Sequence, residues 1–231
     1  MKYIVIGLGN FGVSLAKQLA QNGHEVIGVD NSDLKVEEFK DAMTTTICLN
    51  SVEETALRSL PLNEVEAVVV AIGEDLAASV QTIALLKKIG VQRIIGRALS
   101  PLHETIIEAI GIAGILNPER EAARNMVGRL ESVLVADQFA ISDDYSLMEI
   151  RVSGILVKQT IEQVGFEQNF NLKLLSVKRE LETRNFIGIT KREMRVMDTF
   201  GGQTLLLSGD QVVLFGRISD FQRFLKICKR H

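Results

Sequence analysis

Six short runs of β-branched and aliphatic residues, each separated from the next by an amphipathic stretch, constrain this chain more than any other feature. They are Tyr3 to Gly7, Glu25 to Asp30, Thr45 to Leu49, Glu66 to Gly73, Arg93 to Ala98 and Gly114 to Leu116. A strand open to water on one face alternates polar and apolar residues. These runs do not, and they read as parallel strands covered on both faces. Between them, residues 12–21, 33–40, 52–59, 77–89 and 101–110 carry apolar side chains at helical spacing. Strands alternating with helices of that length require right-handed crossovers and a doubly wound parallel α/β sheet.

Beyond Gly111 and Gly114 the pattern changes. Asn117 suits an N-cap and Pro118 the first helical position, with Glu119 and Glu121 in the first turn. Apolar residues at Ala122, Met126, Leu130 and Val133 continue the helical period, so a crossover helix is expected over 118–136. After Asp137, SLMEIRVSG, LKLLSVKRE, MRVM and QVVLFGR read as more polar strands, with short helices over 157–164 and 219–229 and a turn at Gly209-Asp210. The segment Lys191 to Arg195 (KREMR) reads as a solvated loop. The expected organisation is an α/β domain over 1–117, the helix over 118–136, and a smaller α+β domain over 137–231.

Charge and composition narrow the function classes. The net charge is -3 at pH 7. Up to Ala136 there are 12 Lys+Arg against 17 Asp+Glu, and beyond it 14 against 12. Neither part has the concentrated basic field of a nucleic-acid binder, and no basic helix-turn-helix is recognisable. The basic end (Lys226, Lys229, Arg230, His231) reads as a solvated helix terminus. No run of eighteen apolar residues suggests a membrane span. Cys48 and Cys228 lie far apart without CxxC spacing, so neither a disulfide framework nor a zinc site is expected. These features point to a cytoplasmic protein.

The first strand leads into Gly7-Leu8-Gly9-Asn10-Phe11-Gly12, a G-x-G-x-x-G turn that opens a helix. Gly7 permits the tight turn, Gly9 lets the backbone approach a pyrophosphate, and Gly12 lets helix and strand pack closely. The helix start offers free N–H groups and the positive end of a dipole. Asp30 tips the second strand, where a carboxylate can accept both ribose hydroxyls and repels a 2′-phosphate. This makes the sheet Rossmann-like and the site an adenine-nucleotide site. ATP, ADP, NAD and NADH all present the ribose and pyrophosphate that it reads.

Catalytic partners are hard to find. A dehydrogenase needs an acid or base beside the nicotinamide. His24 precedes a strand in a loop, His231 is the last residue, and His103 starts a helix on the edge of the crevice. Cys48 ends a strand expected to be buried, and reads as an inert core thiol. No Ser-His-Asp arrangement or close carboxylate pair emerges. The sequence therefore reads as a nucleotide sensor, with an NAD-dependent oxidoreductase as the alternative.

Together VIGLGNFG, EVIGVD, CLNSVEE, VVVAIG, GRALSPLHETIIEAIGI and LNPEREAA resemble the regulator-of-potassium-conductance family of KtrA and TrkA type. DDYSLMEIRV and LSGDQVVLFG resemble its C-terminal module. The resemblance implies homodimers that assemble into an octameric ring beneath a membrane potassium-translocating subunit of Ktr or Trk type, gated by ATP/ADP or NAD/NADH. It places Gly7, Gly9, Asn10, Phe11 and Gly12 on the pyrophosphate, Asp30, Asn31 and Ser32 around the ribose, and Asn50 and Ser51 near the adenine. Ala71, Ile72 and Gly73 would line the ribose-phosphate side. Arg97, followed by Ala98 and Leu99, stands where relatives carry a basic residue, and His103 matches a histidine at the nucleotide site. Glu119 matches an acid that, in some relatives, holds a magnesium or sodium ion between subunits. Relatives usually carry arginine where Asn10 stands. Gln159 to Phe170 lacks the arginine with which some C-terminal modules bind cyclic di-AMP, so that ligand is not expected.

Overall fold

The computed structural model describes residues 1–184 and 190–228, which form two compact units, Met1–Arg120 and Glu121 onward. Lys229, Arg230 and His231, and with them the expected end of the last helix, lie outside the described residues.

The first unit holds β1 (Lys2–Ile6), α1 (Asn10–Gln21), β2 (Glu25–Asp30), α2 (Asp33–Glu38), β3 (Thr45–Cys48), α3 (Glu54–Leu57), β4 (Ala67–Val70), α4 (Leu76–Ile89), β5 (Ile94–Arg97), α5 (Pro101–Ile110) and β6 (Gly114–Leu116). The strands make one parallel sheet in the order β3-β2-β1-β4-β5-β6. The expected doubly wound sheet is what forms. Ile4 and Ile6 face one core with Val68, Val70, Ile83 and Ile107, while Val5 faces the other with Val13, Ala16 and Val69. Both faces are covered, which is why the strands carry no alternation. The order reverses between β1 and β4, and crevices for ligands open at such a switch point, outside the carboxyl ends of the strands.

Helix α6 (Pro118–Glu131) leaves the first unit and ends sooner than its apolar period suggests. The Ser132 hydroxyl accepts the Leu134 N–H at 3.3 Å and its carbonyl accepts the Val135 N–H at 3.0 Å. Such local bonds compete with the helical ladder. Val135 and Ala136, expected as the end of the helix, instead begin β7 (Val135–Ala140).

In the second unit β7 is followed by β8 (Tyr145–Arg151), α7 (Ile161–Val164), α8 (Phe166–Phe170), β9 (Lys173–Arg184), β10 (Thr190–Val196), β11 (Gln211–Arg217) and α9 (Ile218–Cys228). The sheet is antiparallel, in the order β10-β9-β11-β8-β7. Its inner face (Met148, Ile150, Val177, Val212, Leu214) packs on Phe166, Phe221 and Phe224. Gly209 takes the left-handed φ of +89° that its turn requires. The next residue, Asp210, is buried and accepts both Nε (2.8 Å) and Nη2 (2.6 Å) of Arg179. The Lys191 to Arg195 segment is not a loop. It belongs to β10, which among the described residues pairs with β9 alone at the sheet edge, where charge discourages further pairing.

Candidate nucleotide site

The turn between β1 and α1 is built by its glycines. Gly7 has φ +101°, and its N–H donates to the Val29 carbonyl at 2.7 Å. A Cβ on Gly12 would collide with the Gly7 carbonyl, while one on Gly9 would meet nothing within 4 Å. The backbone is therefore tight at Gly7 and Gly12 and open at Gly9. No side chain caps α1, whereas Asp75 caps α4 and Ser100 caps α5. The amides of the first turn of α1 are thus left to an anion.

Beyond this turn lies a cleft of about 460 Å³, a size suited to a small organic ligand. Asp30 lines it with its side chain almost wholly buried. One carboxylate oxygen accepts the Leu8 N–H at 2.7 Å, and the other accepts the Ser32 N–H at 3.0 Å. Each oxygen keeps a lone pair, enough for two ribose hydroxyls. Asn31, Asn50 and Ser51 line the cleft on this side, and Ala71, Ile72 and Gly73 line it at the end of β4. Ser51 turns its hydroxyl to Thr82 Oγ1 at 2.8 Å.

Arg97 ends β5 with 16% of its side chain exposed. Its guanidinium pairs with Glu119 and lies 5.6 Å from the Phe11 ring centroid. A Cβ on Gly73 would stand 2.5 Å from Nη1, so only glycine leaves this arginine its place. Both Arg97 and Glu119 line the cleft, as do Gly7, Gly9, Asn10 and Phe11.

Five expected site residues do not line it. Gly12 packs under the turn, and Ser32 contributes through its N–H to Asp30. Ala98 is buried in the core. Leu99 gives its N–H to His103 Nδ1 at 3.2 Å. His103 is fully buried, burial lowers its pKa, and Nε2 has no partner among the described residues. Because Nδ1 accepts a bond, the neutral ring carries its proton on Nε2. Sequence reasoning passed over Lys35, whose Nζ is 3.8 Å from Asp30, and Asp75, the α4 cap. A basic residue one turn beyond an acid-tipped strand was the available signal for the first.

The cleft lining contains no histidine, cysteine or tyrosine. Cys48 is exposed rather than in the core, and a hydrogen bond to Asp33 raises its thiol pKa, which lowers its reactivity. The Glu119 carboxylate pairs with Arg97, and no group of three or more metal-ligating side chains occurs among the described residues. Within one chain these residues do not make a cation site. They fit a nucleotide's ribose and phosphates.

Fold and cleft define a class: a Rossmann-type nucleotide-binding unit followed by a small α+β unit. The TrkA-N domain family matches residues 3–118. The Ktr system potassium uptake protein C of Bacillus subtilis is 29% identical over 225 residues, covering 97% of this chain and 96% of that protein. The Ktr system potassium uptake protein A of the same organism is 32% identical over 177 residues, covering 77% and 80%. The chain belongs to the TrkA-N family. A solved structure of the GsuK channel bound to NAD superposes with a TM-score of 0.62 over 95% of this chain. At 14% identity that likeness is one of fold, and the chain covers 38% of that channel's own.

Proposed function

We propose that this chain is a nucleotide-sensing regulatory subunit of a potassium uptake system, gating a membrane potassium-translocating partner of Ktr or Trk type. The observation that carries it is the uncapped start of α1 opening onto a cleft with Asp30 in its wall, Arg97 paired with Glu119, and no histidine, cysteine or tyrosine in its lining. Such a site binds an adenine nucleotide and leaves it unchanged. The ribose sits on Asp30, the pyrophosphate on the Gly7–Gly12 turn, and Ala71 to Gly73 form the opposite wall. The kinship with potassium uptake proteins supports the partner. No helix among the described residues is long and apolar enough to cross a membrane, which suits a subunit working at the inner face through that partner.

A sensor acts by binding one conformation better than another. Met126 (48% exposed) and Leu130 (77%) stand uncovered on α6 and Val133 (82%) just beyond its end, while Val127, Val135, Met148, Phe221 and Leu225 wall a cavity. Exposed apolar groups of this kind mark subunit contacts. They support a homodimer as the unit from which an octameric ring is built.

Mass spectrometry of the nucleotide released from purified protein, followed by calorimetry with AMP, ADP, ATP, NAD and NADH, tests the binding. Turnover of NADH over a panel of carbonyl compounds would replace the sensor with an oxidoreductase. Light scattering at micromolar concentration is expected to give a dimer or larger. A monomeric mass would remove the assembly.

A further inference from the structure

The cleft is lined by two cationic side chains, Lys35 and Arg97. Lys35 stands beside Asp30, where it is paired with the carboxylate meant for the ribose. Arg97 is held against Phe11, the second residue of α1, and so near the helix start where phosphate binds. Asn10, on that same first turn, is neutral. Additional phosphate charge therefore has one cation to meet it.

We propose that Arg97 reads the phosphates beyond the first, and that Glu119 of the same chain competes with them for its guanidinium. This deepens the sensor reading and rests on it. A guanidinium has five N–H donors, and the contact with Glu119 is made through Nη2. Nε is buried without a partner among the described residues. Glu119 is itself 62% exposed, so this ion pair is of the weak, exchangeable kind. A terminal phosphate carries more charge and offers several oxygens to the planar fork, and it displaces the carboxylate. Gly73 keeps the guanidinium in reach of both. Glu119 is the second residue of α6, so phosphate number is read out at the head of the helix leaving the first unit. A released carboxylate there favours the helix dipole.

The test is calorimetry with AMP, ADP and ATP, in EDTA and in magnesium, on wild type, Glu119→Gln, Arg97→Met, Arg97→Lys and the double variant Arg97→Met/Glu119→Gln. Thermal melts establish that each variant is folded. In EDTA, Glu119→Gln is expected to tighten ADP and ATP about threefold to tenfold, and AMP less than about twofold. Arg97→Met weakens ADP and ATP about tenfold relative to AMP, and Arg97→Lys recovers part of that. The gain from Glu119→Gln disappears when Arg97 is methionine, which is the coupling a double-mutant cycle isolates. A gain equal for all three nucleotides, or one that survives in the double variant, is a general field effect and overturns the proposal. So does a Glu119→Gln variant that weakens ATP only with magnesium, because Glu119 is then a metal ligand. If wild type binds none of the three, the sensor reading itself falls, a result distinct from the others.

Discussion

Asp30 holds the Leu8 N–H at 2.7 Å, so the residue we propose for the ribose also fastens the glycine turn. The sequence presented this carboxylate as a ligand group alone. Asp30→Ala is expected to weaken adenine nucleotides at least about tenfold, and to cost about 1–3 kcal/mol because a buried donor loses its acceptor. Asp30→Asn keeps one acceptor oxygen and lies between wild type and alanine in stability. Calorimetry with denaturant unfolding checks both, and unchanged affinity in Asp30→Ala would place the ligand elsewhere.

The glycines of the turn separate folding from binding. Gly12→Ala drives a methyl into the Gly7 carbonyl and close to Ala71, and is expected to destabilise the first unit by about 2–3 kcal/mol. Gly9→Ala meets nothing, at a φ of -77° that alanine adopts freely. It should leave stability within about 0.5 kcal/mol while its methyl obstructs the phosphate. A Gly9→Ala variant that binds nucleotide as wild type does would move the phosphate away from this turn.

The two thiols should differ in kinetics. Burial pushes Cys228 up to about 11, whereas Cys48 is exposed and raised by its bond to Asp33. At neutral pH in native buffer, alkylation is expected to reach Cys48 slowly and Cys228 only on unfolding. Mass mapping of time points distinguishes them, and fast labelling of Cys228 would contradict its place in the core.

His103 gives a pH dependence of definite sign. Its folded pKa lies below the ordinary value of 6.5, so the unfolded chain takes up a proton that the folded one refuses. The stability it contributes is present above 6.5 and is lost as pH falls through 6.5 towards the folded value. The slope for one such group is at most about 1.4 kcal/mol per pH unit. His103→Asn, which retains an acceptor for Leu99, should flatten the decline in melting temperature across that window. An equal decline in both proteins would assign the effect to other groups.

Local rules made the first unit legible. Unalternated strands, helical spacing and the glycine turn specify a doubly wound sheet with a nucleotide turn after its first strand, while the strand order and its switch point emerge only in the structure. Where the reading failed, tertiary context decided. The residues after Glu131 keep a helical period, yet the Ser132 turn diverts them into β7. Lys191 to Arg195 looks like a loop because an edge strand is as polar as one. Proximity across the fold was invisible too: His103 turns inward, while Lys35 reaches Asp30. The pairing of Arg97 with Glu119 joins the end of β5 to the start of α6 across the intervening α5 and β6, and no spacing rule announces it.

The bare start of α1 means that this helix is one residue's chemistry short of complete. Asp75 and Ser100 finish α4 and α5 from within the chain, but α1 borrows its terminal acceptor from solution. Occupancy and thermal resistance are then one quantity: ligand at a hundred times its dissociation constant adds about 2.7 kcal/mol to the folded state. On the proposed reading, melting temperature rises with nucleotide concentration, and a preparation stripped of ligand is less durable than one saturated with it.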